Sequence, residues 1–261
     1  MIVRKSKSEL EAMREGGKIT GACLRLLAAN VRAGVSTGEL DEIAEDFIRS
    51  RGGKPEFKGY PGAPGAIDFP GSICASPNSM IVHGIPGSYR LEEGDVISLD
   101  VGVRYEGFVT DSATTVAVGE IPRDAEGLLA TTERCLVAAT DQMRVGNRLG
   151  DIGYAIQALA ESRGYGVVRD LVSHGVGRKM HEDPQIPNYG RLGSGPRLLP
   201  GMTFAIEPMI TLGDYEIRID QQDGWSIYTA DDSLAAHYEH TIAVTEDGPW
   251  VLTESEEERT G

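Results

Sequence analysis

The chain has 261 residues, 40% of them hydrophobic, so it can bury a sizeable core in one large domain or two small ones. Its formal net charge is −15, from 25 basic and 40 acidic side chains, whereas proteins that bind nucleic acid usually carry a basic patch. The composition therefore predicts no binding to DNA, and it leaves many carboxylates available for other roles.

Three cysteines, Cys23, Cys74 and Cys135, are widely spaced and form no CxxC pair, which predicts reduced thiols rather than a disulfide framework or a zinc ribbon. The basic start of the chain is not followed by the apolar segment of about 7–15 residues that a signal peptide needs. No stretch approaches the roughly 18 consecutive apolar residues of a membrane span. We therefore expect a cytoplasmic protein that does not enter a membrane, with a solvated acidic tail over residues 255–261.

Two amphipathic helices are predicted at the start of the chain. Apolar residues recur at helical spacing over residues 8–32, and Ser8 with Glu11 matches a capping box at the first turn. A second helix follows the capping box of Ser36 and Glu39 and ends before a Gly-Gly pair.

The same order of elements then occurs twice. A loop rich in glycine and proline at 53–71 leads to short β segments at 72–76, 80–84, 95–103 and 108–118. Helices follow at 122–143 and 149–163, and further β segments at 166–172, 202–211, 226–230 and 236–245. At an offset of 112, residues 31–52 align with residues 143–164, including several glycines and arginines. We therefore predict a single domain over 1–254 with pseudo-repeats at about 8–120 and 121–250, related by a pseudo-twofold axis.

The segment VISLDVGVRYEGFVTDSATTVAV is typical of a β-hairpin. With the turn at either Tyr105-Glu106 or Glu106-Gly107, Asp100 and Asp111 lie opposite each other or one diagonal step apart, and in both cases on one face. Like charges repel across a ladder, and aspartate is rare in strands. A cation between the two carboxylates would remove that cost; the alternative is that both face solvent.

Two further acids and two histidines stand in similar settings. Glu207 ends an apolar β run and Glu239 lies inside another, although a buried carboxylate usually pairs with a cation or binds a metal. Each acid alone could instead be a salt-bridge partner at a strand end. His174 lies beside glycines that allow a close approach, and His181 lacks the second histidine of an HExxH zinc-protease motif.

Asp100, Asp111, His174, Glu207 and Glu239 together offer four carboxylates and one imidazole. One catalytic zinc typically keeps only three protein ligands, so this set is too large for it. The set suits two divalent ions about 3.5–4 Å apart, whose charge the four acids would balance. A water bridging such ions would become acidic enough to act as a hydroxide nucleophile near neutral pH.

With these residues in place, the chain resembles the methionine aminopeptidases of the bacterial type I group over nearly its whole length. The motifs that carry the resemblance are IVHGIP, LDVG, TDSATT, SHGVGR, HEDPQIPNYG, FAIEPM and HYEHT. The resemblance implies the α+β pita-bread fold, in which two halves related by a pseudo-twofold axis form a curved antiparallel sheet covered by helices.

The resemblance also implies a role for each ligand. Asp100 would be a terminal ligand of one ion and His174 would bind the other. Asp111 and Glu239 would bridge the two ions, and Glu207 would bind metal and shuttle the proton. The metals implied are Co, Mn, Fe(II) or Zn, with a monovalent cation nearby, and the sequence does not name the metal.

Of the four remaining histidines, two are given a role in the site and two are not. By the same resemblance, His83 would lie near the scissile amide nitrogen or the substrate backbone, and His181 would stabilise the oxyanion. His237 and His240 are given no function and are interpreted as structural. We expect His240 to point to the strand face opposite to that of Glu239.

A pocket for a methionine side chain is implied by the same resemblance, and its lining would suit a flexible thioether. The lining positions are Tyr60, Phe69, Cys74, Met180 and Trp225. Two features depart from the type I pattern: the loop at 61–68 is longer than usual, and Met180 stands where an aromatic residue is common. The alternative for Tyr60 and Cys74 is that they are ordinary core residues.

The resemblance implies removal of the initiator methionine from nascent proteins when the second residue is small, by hydroxide attack on the peptide carbonyl. It further implies a monomer that contacts the ribosome transiently. One alternative is a proline-specific peptidase, aminopeptidase P or prolidase, which shares the fold and ligands but usually carries an extra N-terminal domain. The other is a non-catalytic binding protein on the same fold, which would be expected to have lost ligands.

Overall fold

A computed structural model describes residues 2–63 and 65–254, so the predicted acidic tail lies outside the described residues. The described helices are α1 (Lys7–Asn30), α2 (Thr37–Ser50), α3 (Arg123–Gln142) and α4 (Leu149–Glu161). The first five strands are β1 (Lys54–Pro55), β2 (Cys74–Pro77), β3 (Met80–Val82), β4 (Val96–Tyr105) and β5 (Phe108–Ala117).

Ten further described strands follow α4 in the chain. They are β6 (Gly166–Val167), β7 (Val172–Gly175), β8 (Glu182–Pro187), β9 (Thr203–Ile206), β10 (Met209–Thr211), β11 (Ile217–Ile219), β12 (Ile227–Thr229), β13 (Ala235–His237), β14 (His240–Thr245) and β15 (Gly248–Val251). The predicted order of two helices and then strands, occurring twice, is confirmed for the described residues. None of the four helices combines the length and the apolar composition that crossing a bilayer requires.

The N-cap of the first helix lies two residues earlier than the predicted one. Ser6, not Ser8, is the N-cap: its Oγ accepts from the Glu9 amide at 3.4 Å, and Glu9 Oε2 accepts from the Ser6 amide at 2.7 Å. The predicted Ser8–Glu11 box was therefore wrong, because two overlapping S-x-x-E patterns stand in this segment and the earlier one forms the cap. The predicted box of Ser36 and Glu39 on α2 is confirmed.

Strands β4 and β5 form a ten-residue antiparallel hairpin with its turn at Glu106 and Gly107. Both turn residues have positive φ, 48° and 85°, which is the backbone of a type I′ turn. In this register Asp100 pairs with Ala113 and Asp111 pairs with Gly102. The two aspartates are therefore diagonal neighbours on one face, the second of the two predicted arrangements.

The strands assemble into four antiparallel ladders. One contains β1, β4 and β2 in that order, with β5 on β4; another runs β15-β14-β9-β7-β8; the remaining two are β13-β10-β6 and β11-β12-β3. The strands β1, β8, β11 and β15 were not predicted. Three of them, β1, β11 and β15, are only two to four residues long, and β8 alternates exposed with half-buried or buried positions rather than carrying an apolar run. The first of these ladders carries Asp100 and Asp111, and Glu207 and Glu239 lie next to strands of the second.

Each helix pair covers its own sheet. The first pair packs on β4 through a cluster that includes Leu27, Leu40 and Ile97, all fully buried. The second pair packs on β9 and β14 through a cluster that includes Ile152 and Phe204. Burial of about 1.5–3 kcal/mol per large side chain makes these clusters the main source of stability.

The C-terminal end of the described chain lies against the first helix. Gly17 and Gly21 of α1 face the carbonyl oxygens of Leu252 and Thr253, where a Cβ atom would clash with the backbone. Arg14 donates from Nη1 to the Leu252 carbonyl at 2.6 Å. The glycines thus permit an approach that no larger residue would allow.

Candidate metal centre and substrate cavity

All twelve residues predicted to form the site line one cavity of about 520 Å³. They are Tyr60, Phe69, Cys74, His83, Asp100, Asp111, His174, Met180, His181, Glu207, Trp225 and Glu239. Four of them, Asp100, Asp111, Glu207 and Glu239, form its acidic floor, and its wall is formed by Tyr60, Phe69, Cys74, Met180 and Trp225. The structure brings the residues together, while the role of each one stays a prediction.

The β4–β5 hairpin supplies Asp100 and Asp111, which are 8% and 5% exposed. The backbone of Asp111 is held from the other half of the chain. Its amide donates to Thr241 Oγ1 at 2.8 Å, and the Thr241 hydroxyl donates to the Asp111 carbonyl at 2.8 Å. One threonine therefore fixes the strand position from which the Asp111 carboxylate projects.

His174, Glu207 and Glu239 come from three neighbouring strands. In the ladder, β9 lies between β7 and β14, so that His174 pairs with Ala205 and His240 pairs with Ile206. Glu207 directly follows β9 and Glu239 directly precedes β14. All three side chains therefore meet at the same end of adjacent strands.

The tautomer of His174 is set by its own backbone neighbour. Its Nδ1 donates to the Gly175 carbonyl at 2.9 Å, so the neutral ring presents a lone pair at Nε2. Nε2 lies 3.5 Å from Glu207 Oε1 and 4.0 Å from Asp111 Oδ2. A ring nitrogen oriented in this way is the usual form of a metal-binding histidine.

Buried hydroxyl and amide groups position both glutamates. The Glu207 amide donates to Ser173 Oγ at 2.9 Å, and Asn188 Nδ2 donates to the Glu207 carbonyl at 3.0 Å. Ser112, next to Asp111, donates from Oγ to the Glu239 carbonyl at 2.6 Å. These contacts fix backbone atoms and leave the carboxylates directed into the cavity.

The acids are electrostatically strained by one another's presence. Burial, followed by the nearby Glu207 charge, raises the pKa of Asp100 to about 8. Burial and then Asp100 raise the pKa of Asp111, and burial and then Asp111 raise those of Glu207 and Glu239. Such acids resist ionisation unless positive charge is supplied nearby.

The donor set fits divalent cations. Asp111, His174 and Glu239 offer ligand atoms that all lie within 4.8 Å of one another. Among the described residues, Asp100 Oδ1, Asp111 Oδ1 and Glu239 Oε1 are buried without a hydrogen-bond donor. Buried carboxylate oxygens without donors are costly, and coordination to a cation would satisfy them.

Two histidines lie above the acidic floor. His83 has a φ of 60°, a left-handed backbone conformation that is uncommon outside glycine and recurs at functional sites. Burial and then the neighbouring His181 lower the pKa of His83 to about 4. His181 Nδ1 lies 2.7 Å from the Tyr60 hydroxyl, and its ring centroid is 4.4 Å from that of His174.

The cavity wall joins the long loop to the second half of the chain. The Trp225 ring packs edge-on against Phe69, with centroids 5.2 Å apart, and Trp225 Nε1 donates to the Ile67 carbonyl at 2.8 Å. Met180 is 3% exposed and packs against Gly102, where a Cβ atom would clash with it. A glycine on β4 therefore makes room for the methionine that stands where an aromatic residue was expected.

His237 lies beside two of the acids, a position that the sequence interpretation did not predict. It was interpreted as structural, yet its Nε2 lies 3.6 Å from Glu207 Oε2 and 4.0 Å from Glu239 Oε2. The signal was present, since residues two apart in an extended chain point to the same side and His237 precedes Glu239 by two. His240 hydrogen-bonds Thr253 at 2.9 Å instead, in agreement with the opposite face predicted for it.

Comparison with known proteins gives consistent results. Residues 11–246 match the model of metallopeptidase family M24. A methionine aminopeptidase of Clostridium perfringens is 48% identical over 253 residues, covering 97% of this chain and 99% of that protein. The crystal structure of a Thermotoga maritima methionine aminopeptidase matches with a TM-score of 0.93 at 41% identity, over 98% of this chain and 100% of that one.

A more distant likeness concerns the fold alone. A prolidase from Pyrococcus furiosus has a TM-score of 0.74 at 21% identity, covering 97% of this chain and 66% of that one. The α+β fold class predicted from the sequence is confirmed by these likenesses.

Proposed function

Because this chain belongs to metallopeptidase family M24, we propose that it removes the N-terminal methionine from proteins and peptides whose second residue is small. The observation that carries the proposal is the convergence of four buried acids and His174 beneath an aromatic cavity. Acid clusters of this kind need cations, and the cavity wall supplies an apolar surface for a thioether.

The five predicted ligands would hold two divalent ions. Asp100 and His174 would each serve a different ion, Asp111 and Glu239 would serve both, and Glu207 would also bind metal. Bound there, such ions polarise a scissile carbonyl and lower the pKa of a water molecule toward neutrality. A monovalent cation near this pair remains a prediction, as does the identity of the metal.

The protein's own groups supply positioning and proton transfer. Glu207 lines the cavity among the other acids, a position from which its carboxylate would accept a proton and pass it to the leaving amine. With the Tyr60 hydroxyl donating to Nδ1 of His181, Nε2 of that ring carries the proton that stabilises the developing oxyanion. His83 binds the substrate backbone.

The methionine side chain is proposed to fill the wall formed by Tyr60, Phe69, Cys74, Met180 and Trp225. Cys74 pairs with Asp100 in the β2–β4 register, so the wall begins directly beside the acidic floor. A bound N-terminal residue would therefore place its amine over the acids and its side chain against the rings. This arrangement favours exopeptidase over endopeptidase activity.

Kinetics on two peptide classes would test the proposal. We expect release of methionine from Met-Gly-Ser peptides, loss of that activity with a chelator, and recovery on addition of Co(II) or Mn(II). Ala-Pro peptides, the substrates of a proline-specific peptidase, should remain intact. Cleavage before proline with no release of methionine would overturn the proposal, and so would chelator-resistant activity.

Several wider proposals accompany this activity. We propose that residues 1–254 act as one catalytic unit in which the 8–120 and 121–250 repeats share the site. The exchanged hydrogen bonds of Thr241 with Asp111 and of Ser112 with Glu239 support it. Action in the cytoplasm on nascent chains, as a monomer in transient contact with the ribosome, is also proposed; the three unpaired cysteines suit a reducing compartment.

A further inference from the structure

His237 lies directly behind two of the acids without taking part in the cavity lining. It is the last residue of β13, it pairs with Met209 of β10, and it is 2% exposed. Its backbone is held by Thr115, whose Oγ1 accepts from the His237 amide at 2.9 Å and donates to the His237 carbonyl at 2.8 Å. The ring therefore has a defined place on the protein side of the carboxylates.

The imidazole of His237 is an unsatisfied polar group. Neither Nδ1 nor Nε2 has a hydrogen-bond partner among the described residues. A buried polar group without a partner costs about 1–3 kcal/mol, and such a group in a folded protein calls for an explanation. The nearest charged groups are Glu207 and Glu239, at 3.6 and 4.0 Å from Nε2.

The two distances are slightly longer than a hydrogen bond, whose N···O separation is about 2.7–3.2 Å. The first distance exceeds that range by about 0.4 Å. A neutral imidazole has a single N–H, and its other nitrogen is an acceptor. An ionised Glu207 or Glu239 would accept that proton as a hydrogen bond.

We propose that His237 is a positioning residue, which donates its Nε2–H to the ionised Glu207 and Glu239 carboxylates and so orients them toward the metal ions. The proposal rests on the proposed function, because it assumes a metal at this site. Donation is favoured over direct ligation because the ring lies behind the acids and does not line the cavity. Hydrogen bonds to ligating carboxylates of this kind tune metal affinity.

The experiment measures Co(II) binding to the metal-free protein by titration calorimetry and by visible absorption, so that no turnover is needed. His237→Leu keeps an apolar side chain of similar bulk without a donor, and His237→Gln places an amide N–H near the position of Nε2. His240→Gln is the matched control, because that ring lies on the other strand face and hydrogen-bonds Thr253. Circular dichroism checks that each variant folds.

We expect His237→Leu to weaken Co(II) binding by about 10–100-fold, His237→Gln to retain most of the affinity, and His240→Gln to match the wild type. Binding by His237→Leu at wild-type strength would overturn the proposal. An equal loss in His237→Gln, with a changed Co(II) spectrum, would also overturn it, because it would show that the imidazole itself is a ligand.

Two further arms keep the test decisive. If His237→Leu does not fold, the His237→Gln spectrum decides: an unchanged spectrum supports the donor role and a changed one contradicts it. Glu239→Ala tests the site itself. Should the wild type bind no Co(II), or should Glu239→Ala bind it undiminished, the proposed function fails; wild-type binding lost in Glu239→Ala but retained in His237→Leu overturns only the role of His237.

Discussion

The two halves of the molecule deliver their acids to the site by different means. In the first half, Asp100 and Asp111 stand on one hairpin whose strands pair along ten residues. In the second half, His174, Glu207 and Glu239 come from strands that are far apart in sequence and adjacent only in the sheet. One half of the site is thus fixed by local register, and the other by tertiary hydrogen bonds.

The largest effect should follow from removing one ligand from each half. Asp111→Asn and Glu239→Gln keep size and remove charge, and each should lower kcat by about 10³-fold or more because a metal ligand is lost. Activity on a Met-Gly-Ser peptide and metal content by mass spectrometry measure the effect. Equal losses in kcat would show that a ligand on the hairpin of the first half and a ligand from the sheet of the second half contribute equally to turnover.

A control for this pair is thermal unfolding of the metal-free variants. Each variant removes one ionisable group from a crowded buried cluster, so neither should unfold below the wild type. Near-normal turnover in either variant would contradict a shared site built from both halves.

Metal removal should expose the electrostatic repulsion between the buried acids that the two halves contribute. In the metal-free protein, burial and neighbouring acids raise the pKa of Asp100 to about 8, against about 4 in an unfolded chain. Between these values the folded protein keeps a proton that the unfolded chain releases, so its stability falls as pH rises. Metal-bound acids are already ionised and escape this loss.

The difference in melting temperature between metal-loaded and chelated protein should therefore grow from pH 5 to pH 8. Differential scanning calorimetry at three pH values, with and without a chelator, measures it. A difference that is constant or shrinks with pH would show that the acids do not crowd one another as the distances indicate.

A smaller effect is expected from the hydrogen bonds between the halves. Thr241→Val removes the hydroxyl that bonds both the amide and the carbonyl of Asp111. Leaving these buried groups without partners should lower the free energy of unfolding by about 1–3 kcal/mol, measured by urea denaturation. Thr140→Val, which removes a hydroxyl bonded within α3, is the control and should change stability by less.

The smallest effect should come from the contact between Tyr60 and His181. Tyr60→Phe keeps the aromatic wall and removes the hydroxyl that lies 2.7 Å from Nδ1. The lost hydrogen bond, worth about 0.5–1.5 kcal/mol, should lower kcat by roughly threefold to tenfold while KM for the methionine substrate changes little. A raised KM with unchanged kcat would instead make Tyr60 a wall residue only.

The same contrast explains what the sequence could and could not predict. The shared face of Asp100 and Asp111 followed from strand parity, which is a local property. The order of β7, β9 and β14 depends on long-range pairing, which no local spacing shows. The meeting of His174, Glu207 and Glu239 was therefore inferred from the chemistry of these residues, and the resemblance then supported it.

Other features had either no recognisable sequence pattern or two competing patterns. Two S-x-x-E patterns competed at the start of α1, and the wrong one was chosen. The hydrogen bond from Trp225 to the Ile67 carbonyl had no sequence signal at all, because a loop carbonyl is common to every residue. His237 did carry a signal, in its spacing from Glu239, although the sequence interpretation gave it only a structural role.

The glycines of α1 have a consequence for synthesis of the protein. Gly17 and Gly21 leave a shallow trough on the first helix that is filled by Leu252 and Thr253, among the last described residues to be translated. Until those residues emerge, an apolar seam of the earliest helix stays open to water, and contacts of such long sequence separation close slowly. The first helix to be made would thus find this packing partner only after most of the described chain has been translated.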